Sequence, residues 1–178
     1  GSGKTTAVDL LLGLLKPQSG KVLTDGQDIR EDYYGWLSHL SYIPQTIYML
    51  DDTICANIAF GVQKEQIDHA RVQKAVEEAQ LKAFIDSLPE GLETKIGERG
   101  VRLSGGQRQR IGIARALYTD PELVIFDEAT SALDNETEAA IMESINSLHG
   151  RKTLVIIAHR LTTIEECDYI FRVENGQI

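Results

Sequence analysis

The chain reads Leu103-Ser-Gly-Gly-Gln-Arg-Gln-Arg-Ile-Gly-Ile-Ala-Arg-Ala-Leu117 where its residue pattern predicts a long helix. A hydroxyl and two glycines precede apolar residues at helical spacing. The first turn of a helix has backbone N–H groups without intrahelical partners, and glycines leave them uncovered. The helix dipole adds partial positive charge there. Ser104, Gly105, Gly106 and Gln107 are therefore predicted to bind phosphate, although an isolated Ser-Gly-Gly could equally be a simple turn that opens a helix.

The size and charge of the chain exclude several classes of protein. Its 178 residues, 42% hydrophobic and 25% charged, are typical of one globular domain, or of one domain with a small insertion. The longest apolar run, from Leu10 to Leu15, contains Gly13 and is far shorter than the roughly 18 residues needed to cross a bilayer. A formal charge of -9 argues against nucleic acid as a partner, because such binding needs many cations. It leaves room for ATP, which needs only a local positive site.

The two cysteines, Cys55 and Cys167, have neither CxxC spacing nor histidines arranged beside them. A disulfide framework or a zinc site is therefore not expected, in agreement with a reducing compartment. The N-terminus has no pattern typical of a signal peptide.

The N-terminal residues Gly1, Ser2, Gly3, Lys4, Thr5 and Thr6 match the second half of the P-loop pattern G-x-x-x-x-G-K-[ST]. The glycines let backbone N–H groups surround phosphate oxygens, the lysine reaches the β- and γ-phosphates, and the first threonine hydroxyl can bind Mg²⁺. An apolar helix follows at once, to be ended by Pro17-Gln-Ser-Gly20. The chain is therefore expected to begin within its own P-loop.

A polar loop residue follows one of the predicted strands. Strands are predicted at 21–25 and 40–43, and the second is stopped by Pro44, which leaves Gln45 at its end. A neutral side chain beside a phosphate site could bind Mg²⁺ or orient water, and a partner docking on the loop could move it. The Pro-Gln pair alone is a weak signal.

The stretch from residue 51 to residue 100 changes character, because short amphipathic helices follow one another without strands. We predict helices at 53–58, 66–79 and 81–85. The domain organisation that follows is an α/β core formed by residues 1–50 and 101–178, with a helical insertion at 51–100.

Two carboxylates end a strand that is apolar along its whole length. The run 122–126 is typical of a strand buried on both faces of a parallel sheet, and Asp127 and Glu128 follow it. Ligands bind at the carboxyl ends of such strands. Alternation points the two side chains in different directions, so we assign Asp127 to the metal and Glu128 to general-base catalysis or to positioning the attacking water.

A second apolar strand, 152–158, delivers His159 at the same edge, where it is predicted to contact the γ-phosphate. The loop Ser131-Ala-Leu-Asp134 precedes a helix over 135–148. Asp134 is predicted to cap that helix, and it could also take part in a subunit contact. Residues 168–173 and the Asn175-Gly176 turn are predicted to begin a hairpin.

The order of these motifs resembles the nucleotide-binding domain of ATP-binding-cassette (ABC) proteins over nearly the whole chain. Residues 1–6 are similar to the Walker A segment, Gln45 to the Q-loop, 103–107 to the signature, 123–128 to Walker B, 131–134 to the D-loop and His159 to the switch histidine. The resemblance implies a P-loop NTPase fold with a mostly parallel sheet flanked by helices. It also implies ATP and Mg²⁺ as cofactors and an ATPase activity, although the isolated chain is expected to be inactive.

Two further segments, Thr53-Ile-Cys-Ala-Asn-Ile58 and Gly97-Glu-Arg-Gly100, resemble the exporter branch, which includes multidrug, lipid and lipid-linked oligosaccharide transporters. This resemblance implies a transmembrane domain upstream on the same polypeptide and a location on the cytoplasmic face of the membrane. The aromatic residue that stacks on adenine in this family is absent, so adenine contacts are expected to lie upstream of Gly1.

A physical argument indicates a dimer. The chain has one nucleotide cradle but two helix starts suited to phosphate, so the start at Ser104 is expected to close over a nucleotide held by a second copy, identical or different. Closure within one chain is the less favoured alternative. Two other functions stay open at this point: a soluble ABC-type ATPase not coupled to transport, and a regulatory module that binds nucleotide without hydrolysis.

Overall fold

A computed structural model describes residues 2–127, 135–158, 164 and 166–177 of the chain, with the side chains of 135–137 left aside. Strands and helices alternate along it, as the sequence predicts for an α/β protein. In chain order the elements are α1 (Lys4–Leu11), β1 (Leu23–Thr24), β2 (Gln27–Asp28), α2 (Tyr33–His39), β3 (Leu40–Ile43), α3 (Ile54–Ile58), α4 (His69–Glu78), α5 (Lys82–Asp86), α6 (Gly105–Leu117), β4 (Leu123–Asp127), α7 (Asn135–Asn146) and β5 (Thr153–Ile157).

A parallel sheet with the strand order β3-β4-β5 forms the centre of the described structure. Ile43 pairs with Phe126 and Asp127 pairs with Ile157, so the three strands end at one edge. Strands β4 and β5 lie where continuous apolar runs with many β-branched residues predict them, and β3 lies at the predicted residues 40–43. This confirms the predicted mostly parallel sheet.

Helices cover both faces of the sheet. Val8 and Leu12 pack with Leu40, Ile125 and Ile157 on one face. On the other face Val124 and Phe126 join a larger cluster to which α3, α4, α6 and α7 contribute. Because side chains alternate along a strand, Ile125 and Asp127 of β4 point toward the face that α1 covers.

The first helix ends earlier than its sequence predicts, at Leu11 rather than near Pro17. Gly13 follows with φ of 69°, a left-handed conformation that glycine adopts without strain and that commonly ends helices. Two aromatic side chains of α2 then satisfy carbonyls at the helix end. The Tyr33 hydroxyl donates to Leu12 O at 3.2 Å and Trp36 Nε1 donates to Leu11 O at 2.8 Å.

The region 51–100 is helical, with α3, α4, α5 and three short 3₁₀ turns. Asp68 caps α4 by accepting from the N–H groups of Ala70 and Arg71, and Thr53 caps α3 through Ala56. Buried residues of these helices share one hydrophobic cluster with α6 and with β3 and β4. The division into a core and an inserted subdomain stays a prediction.

Two predicted strands differ from the structure. The strand predicted at 21–25 is shorter, because only Leu23–Thr24 pairs, with Gln27–Asp28, in a tight hairpin. Residues 169–173 form no regular strand, and the predicted hairpin is limited to one bridge between Glu174 and Gln177 around the turn. Among the described helices, none is both long enough and apolar enough to cross a membrane.

Candidate functional site

The P-loop residues form the start of α1. Gly3 lies at the N-cap with φ of 107°, a conformation that side chains other than hydrogen rarely tolerate. Lys4 is half-buried, and Thr5 and Thr6 are exposed in the first turn of the helix, which contains no acidic residue. The helix start therefore offers backbone donors, a lysine and two hydroxyls to an anion. Gly1 lies outside the described residues.

The C-terminal turn lies against this loop, a contact that the sequence analysis missed. Gly176 N donates to Ser2 O at 2.9 Å, and a side chain at Gly3 would come within 3.4 Å of the Gly176 Cα. The Asn175-Gly176 pair predicted a turn, but nothing in the sequence links that turn to the P-loop.

Asp127 ends β4 on the face of the sheet that α1 covers. Its side-chain Oδ2 accepts a hydrogen bond from the Tyr42 hydroxyl at 2.9 Å. Tyr42 belongs to β3, where it pairs with Ile125, so its long side chain reaches one step along the sheet to the carboxylate. Sequence reasoning missed Tyr42, because the order of the strands is needed to place it beside Asp127.

The Tyr42 hydroxyl keeps its proton and can donate a hydrogen bond at neutral pH. Burial, the hydrogen bond to Asp127 and the nearby negative charges of Asp127 and Asp9 raise the pKa of Tyr42 to about 12. The phenol is therefore protonated throughout the neutral range.

Gln45 is exposed, two residues after β3. The loop that carries it rests on the signature helix, because a methyl group added at Gly112 of α6 would lie only 2.6 Å from Ile47 Cδ1. Glycine at 112 is thus needed for this close approach. The part assigned to Gln45 in metal or water binding stays a prediction.

The signature helix α6 begins with a capping box. Ser104 Oγ accepts from Gln107 N at 3.2 Å, and Gln107 Oε1 accepts from Ser104 N at 2.8 Å. The N–H groups of Gly105 and Gly106, in the first turn, have no intrahelical acceptor. Within the described residues no hydrogen bond or ion pair joins 104–107 to 2–6.

Several predicted residues lie outside the described part of the chain, namely Glu128, the loop 131–134 and His159. Ile157 of β5 pairs with Asp127, and His159 follows two residues later.

The side chains of the three predicted metal ligands are chemically suited to magnesium. Thr5, Gln45 and Asp127 supply a hydroxyl oxygen, an amide carbonyl oxygen and a carboxylate. The described residues contain no cluster of three or more His, Cys, Asp or Glu that could hold a metal ion. Mg²⁺ typically takes one or two carboxylates and completes its shell with water and phosphate oxygens, so these residues fit it.

A second missed residue, Arg115 of α6, joins the loop after Gln45 to the signature helix. Its guanidinium donates to Tyr48 O and Asn57 O, each at 2.8 Å, and to Asn57 Oδ1 at 3.2 Å. It also lies 4.7 Å from the centre of the Phe60 ring. No carboxylate of the described residues pairs with it, and burial lowers its pKa.

Comparisons with known proteins agree with this geometry. The sequence profile of the ABC transporter family matches residues 1–131. The chain is 46% identical over its full length to an ATP-dependent lipid A-core flippase of Cupriavidus metallidurans, covering 30% of that protein. It is 42% identical, again over its full length, to the ABC transporter BEA3 of Gibberella fujikuroi, covering 14% of it.

A solved structure resembles the chain closely. The structure of a bacterial Atm1-family ABC exporter with ATP bound superposes with a TM-score of 0.85 at 40% identity, over 98% of this chain and 30% of the exporter chain. The present chain therefore spans about 30% or less of the length of these relatives.

The P-loop helix packs on a parallel sheet in which one strand ends in a carboxylate, and this arrangement defines a P-loop ATPase fold. The profile match shows that the chain belongs to the ABC transporter family. Within the family it corresponds to the nucleotide-binding domain of an exporter.

Proposed function

We propose that this domain binds and hydrolyses ATP with Mg²⁺ and thereby drives export of a substrate across a membrane. The observation that carries the proposal is the packing of α1 on the face of the sheet toward which Asp127 points. A phosphate-binding helix start and a carboxylate at the end of a buried strand are the two parts that phosphoryl transfer from a magnesium nucleotide requires.

Each predicted residue has a distinct part in this proposal. The backbone of 1–6 holds the phosphates, and Lys4 neutralises charge on the β- and γ-phosphates. Thr5, Gln45 and Asp127 would hold Mg²⁺, which when bound neutralises the charge that develops on the phosphate oxygens. Glu128 accepts a proton from the attacking water or orients it, and His159 contacts the γ-phosphate.

The domain works as a head-to-tail pair. The helix start of α6, at Ser104–Gly106 of a second nucleotide-binding domain, closes over the phosphates held by the first, which explains why one chain carries two phosphate-binding helix starts but one cradle. Relatives more than three times as long as this chain support a transmembrane domain on the same polypeptide. The nucleotide-binding pair then lies on the cytoplasmic face of the membrane and passes its closure to that domain through the Gln45 loop.

The test is to change Glu128 in the intact protein. We expect Glu128→Gln to bind ATP normally and to lower phosphate release at least about 100-fold, because the amide cannot accept the proton. Lys4→Ala should instead weaken ATP binding itself. Glu77→Gln, an exposed carboxylate on α4, is the matched control and should hydrolyse ATP as the unmodified protein does. Undiminished phosphate release by Glu128→Gln would refute the assignment of the base.

A further inference from the structure

The carboxylate of Asp127 is held by a side chain that none of the motifs contains. Tyr42 Oη lies 2.9 Å from Asp127 Oδ2, and both residues belong to neighbouring parallel strands of a buried sheet. Tyr42 is 36% exposed, so it lies at the rim of the sheet, where the nucleotide is proposed to bind. The two strands fix the separation of the two side chains, since Tyr42 and Ile125 are paired backbone partners.

A terminal carboxylate otherwise turns freely about its last bond, since rotation about an sp³–sp² bond has broad minima. A hydrogen bond to one oxygen sets the plane of the group. This matters for magnesium in particular, because Mg²⁺ requires near-ideal octahedral geometry with short bonds, whereas larger cations accept variable geometry. Side chains that orient metal ligands typically contribute a factor of about 10–100 in metal affinity.

We propose that Tyr42 is a positioning residue for the magnesium of the bound nucleotide, acting by fixing the orientation of the Asp127 carboxylate through its hydroxyl. This inference rests on the proposed function, because it concerns the same site. Tyr42 contacts neither phosphate nor water in the reaction. Its contribution is to the coupling between cation and nucleotide binding.

The coupling can be measured without turnover. In the intact protein, ATP affinity is determined by equilibrium binding with excess Mg²⁺ and again with a chelator, for the unmodified protein and for Tyr42→Phe. We expect the Mg²⁺-dependent gain in ATP affinity to fall about 10-fold in Tyr42→Phe, while metal-free ATP affinity changes less than about 2-fold. Mn²⁺ can replace Mg²⁺ in a second measurement, because its binding is followed by electron paramagnetic resonance. In the presence of ATP, Tyr42→Phe should bind Mn²⁺ more weakly than the unmodified protein does.

Two controls isolate the hydroxyl. Tyr34→Phe removes the same group from an 84% exposed tyrosine on α2 and should leave both affinities unchanged. In an Asp127→Asn background, Tyr42→Phe should have no further effect on the Mg²⁺-dependent gain, because the carboxylate it positions is gone.

Equal Mg²⁺-dependent gains in Tyr42→Phe and the unmodified protein would overturn the inference, as would an equal loss of affinity with and without the cation. Such a result would leave the proposed function standing if the unmodified protein binds ATP with a clear Mg²⁺ dependence. Absence of ATP binding by the unmodified protein would refute the proposed function instead.

Discussion

Asp120, in the turn between α6 and β4, joins two other parts of the chain through one carboxylate. Its Oδ1 accepts from Lys152 Nζ at 2.8 Å and its Oδ2 from Lys74 Nζ at 3.1 Å. Its backbone is left-handed, with φ of 54°, a conformation that Asp and Asn tolerate better than other side chains. The hydrogen bonds from Lys152 and Lys74 lower the pKa of Asp120 from 3.8 to about 2.

The pKa of Asp120 predicts how stability depends on pH. A carboxyl whose pKa is lower in the folded state stabilises the protein above its unfolded pKa and loses that contribution as the pH falls through the folded value. We expect Asp120→Asn, which keeps the left-handed turn, to lower the thermal midpoint at pH 7 by up to about 3 °C. The effect is small because the ion pairs are partly exposed and worth at most about 1 kcal/mol.

The difference between Asp120→Asn and the unmodified protein should shrink between pH 4 and pH 2, where Asp120 gains its proton. Asp25→Asn is the matched control, since Asp25 is exposed and also left-handed, with φ of 48°. We expect Asp25→Asn to leave the thermal midpoint at pH 7 nearly unchanged, because Asp25 lies exposed in its turn. A difference in thermal midpoint between Asp120→Asn and the unmodified protein that stays constant down to pH 2 would contradict the role of these ion pairs.

Site residues that belong to a local sequence motif could be predicted from the sequence. Residues whose importance comes from contacts with distant parts of the chain could not. Lys4 and Asp127 could be placed because a P-loop and an acid-tipped strand each have a fixed local form. Tyr42 and Arg115 could not, because their partners are distant in sequence. The strand order brings Tyr42 to Asp127, and the packing of α6 against α3 brings Arg115 to Asn57.

At the scale of elements, Arg115 connects α6, α3 and the loop that follows Gln45. Asn57 completes the connection, since its Oδ1 accepts from Leu50 N at 2.9 Å and its Nδ2 donates to Thr53 O at 2.9 Å. The loop backbone is thus held by side chains of two helices rather than by a strand partner. The loop after Gln45 is therefore joined to the signature helix by direct hydrogen bonds.

We expect Arg115→Ala to destabilise the domain by about 2–3 kcal/mol, because it leaves carbonyl groups of Tyr48 and Asn57 without their donor. Arg115→Lys should recover less than half of the loss, since an ammonium group cannot reproduce the planar fork of donors. Denaturant midpoints of the intact protein measure both effects.

Arg110→Lys provides the control, because Arg110 lies on the same helix and, among the described residues, its guanidinium donates to Gln80 O alone, in an exposed position. We expect a change within about 0.5 kcal/mol there. Full recovery by Arg115→Lys would show that charge alone, and not the fork, holds the loop.

The ends of helices and strands were predicted correctly where the apolar pattern is continuous. The prediction failed where the end of an element depends on tertiary contacts. β4 and β5 lie where their apolar runs predict. The first helix ends at Leu11 because Gly13 turns left-handed and Tyr33 and Trp36 satisfy the freed carbonyls, a combination that the sequence pattern does not reveal. Residues 169–173 have strand-like composition, but a strand needs a paired neighbour, which composition cannot supply.

At the scale of the whole molecule, the fold was predictable because several moderately specific motifs occur in one order along the chain. The order of the P-loop, Gln45, the signature and the acid-tipped strand predicts an α/β P-loop fold, and the parallel sheet and the family match confirm it. The closure of the α6 start over a nucleotide held by a second copy, which the sequence also predicts, stays a prediction.

The proposed pair of domains requires Ser104 at the start of α6 to close over a nucleotide held by another copy. Ser104→Arg should block this closure by filling the helix start with a bulky cation, yet leave ATP binding at Lys4 nearly intact. The distance between the two copies in the intact protein reports closure directly. It can be measured between spin labels at Glu65→Cys, an exposed position, in a background where Cys167 is replaced by serine.

In the Glu128→Gln background, which retains ATP, we expect addition of magnesium ATP to shorten the distance between the labels. With Ser104→Arg added, the same nucleotide should bind while the distance stays at its nucleotide-free value. Equal shortening with and without Ser104→Arg would contradict closure through the signature helix.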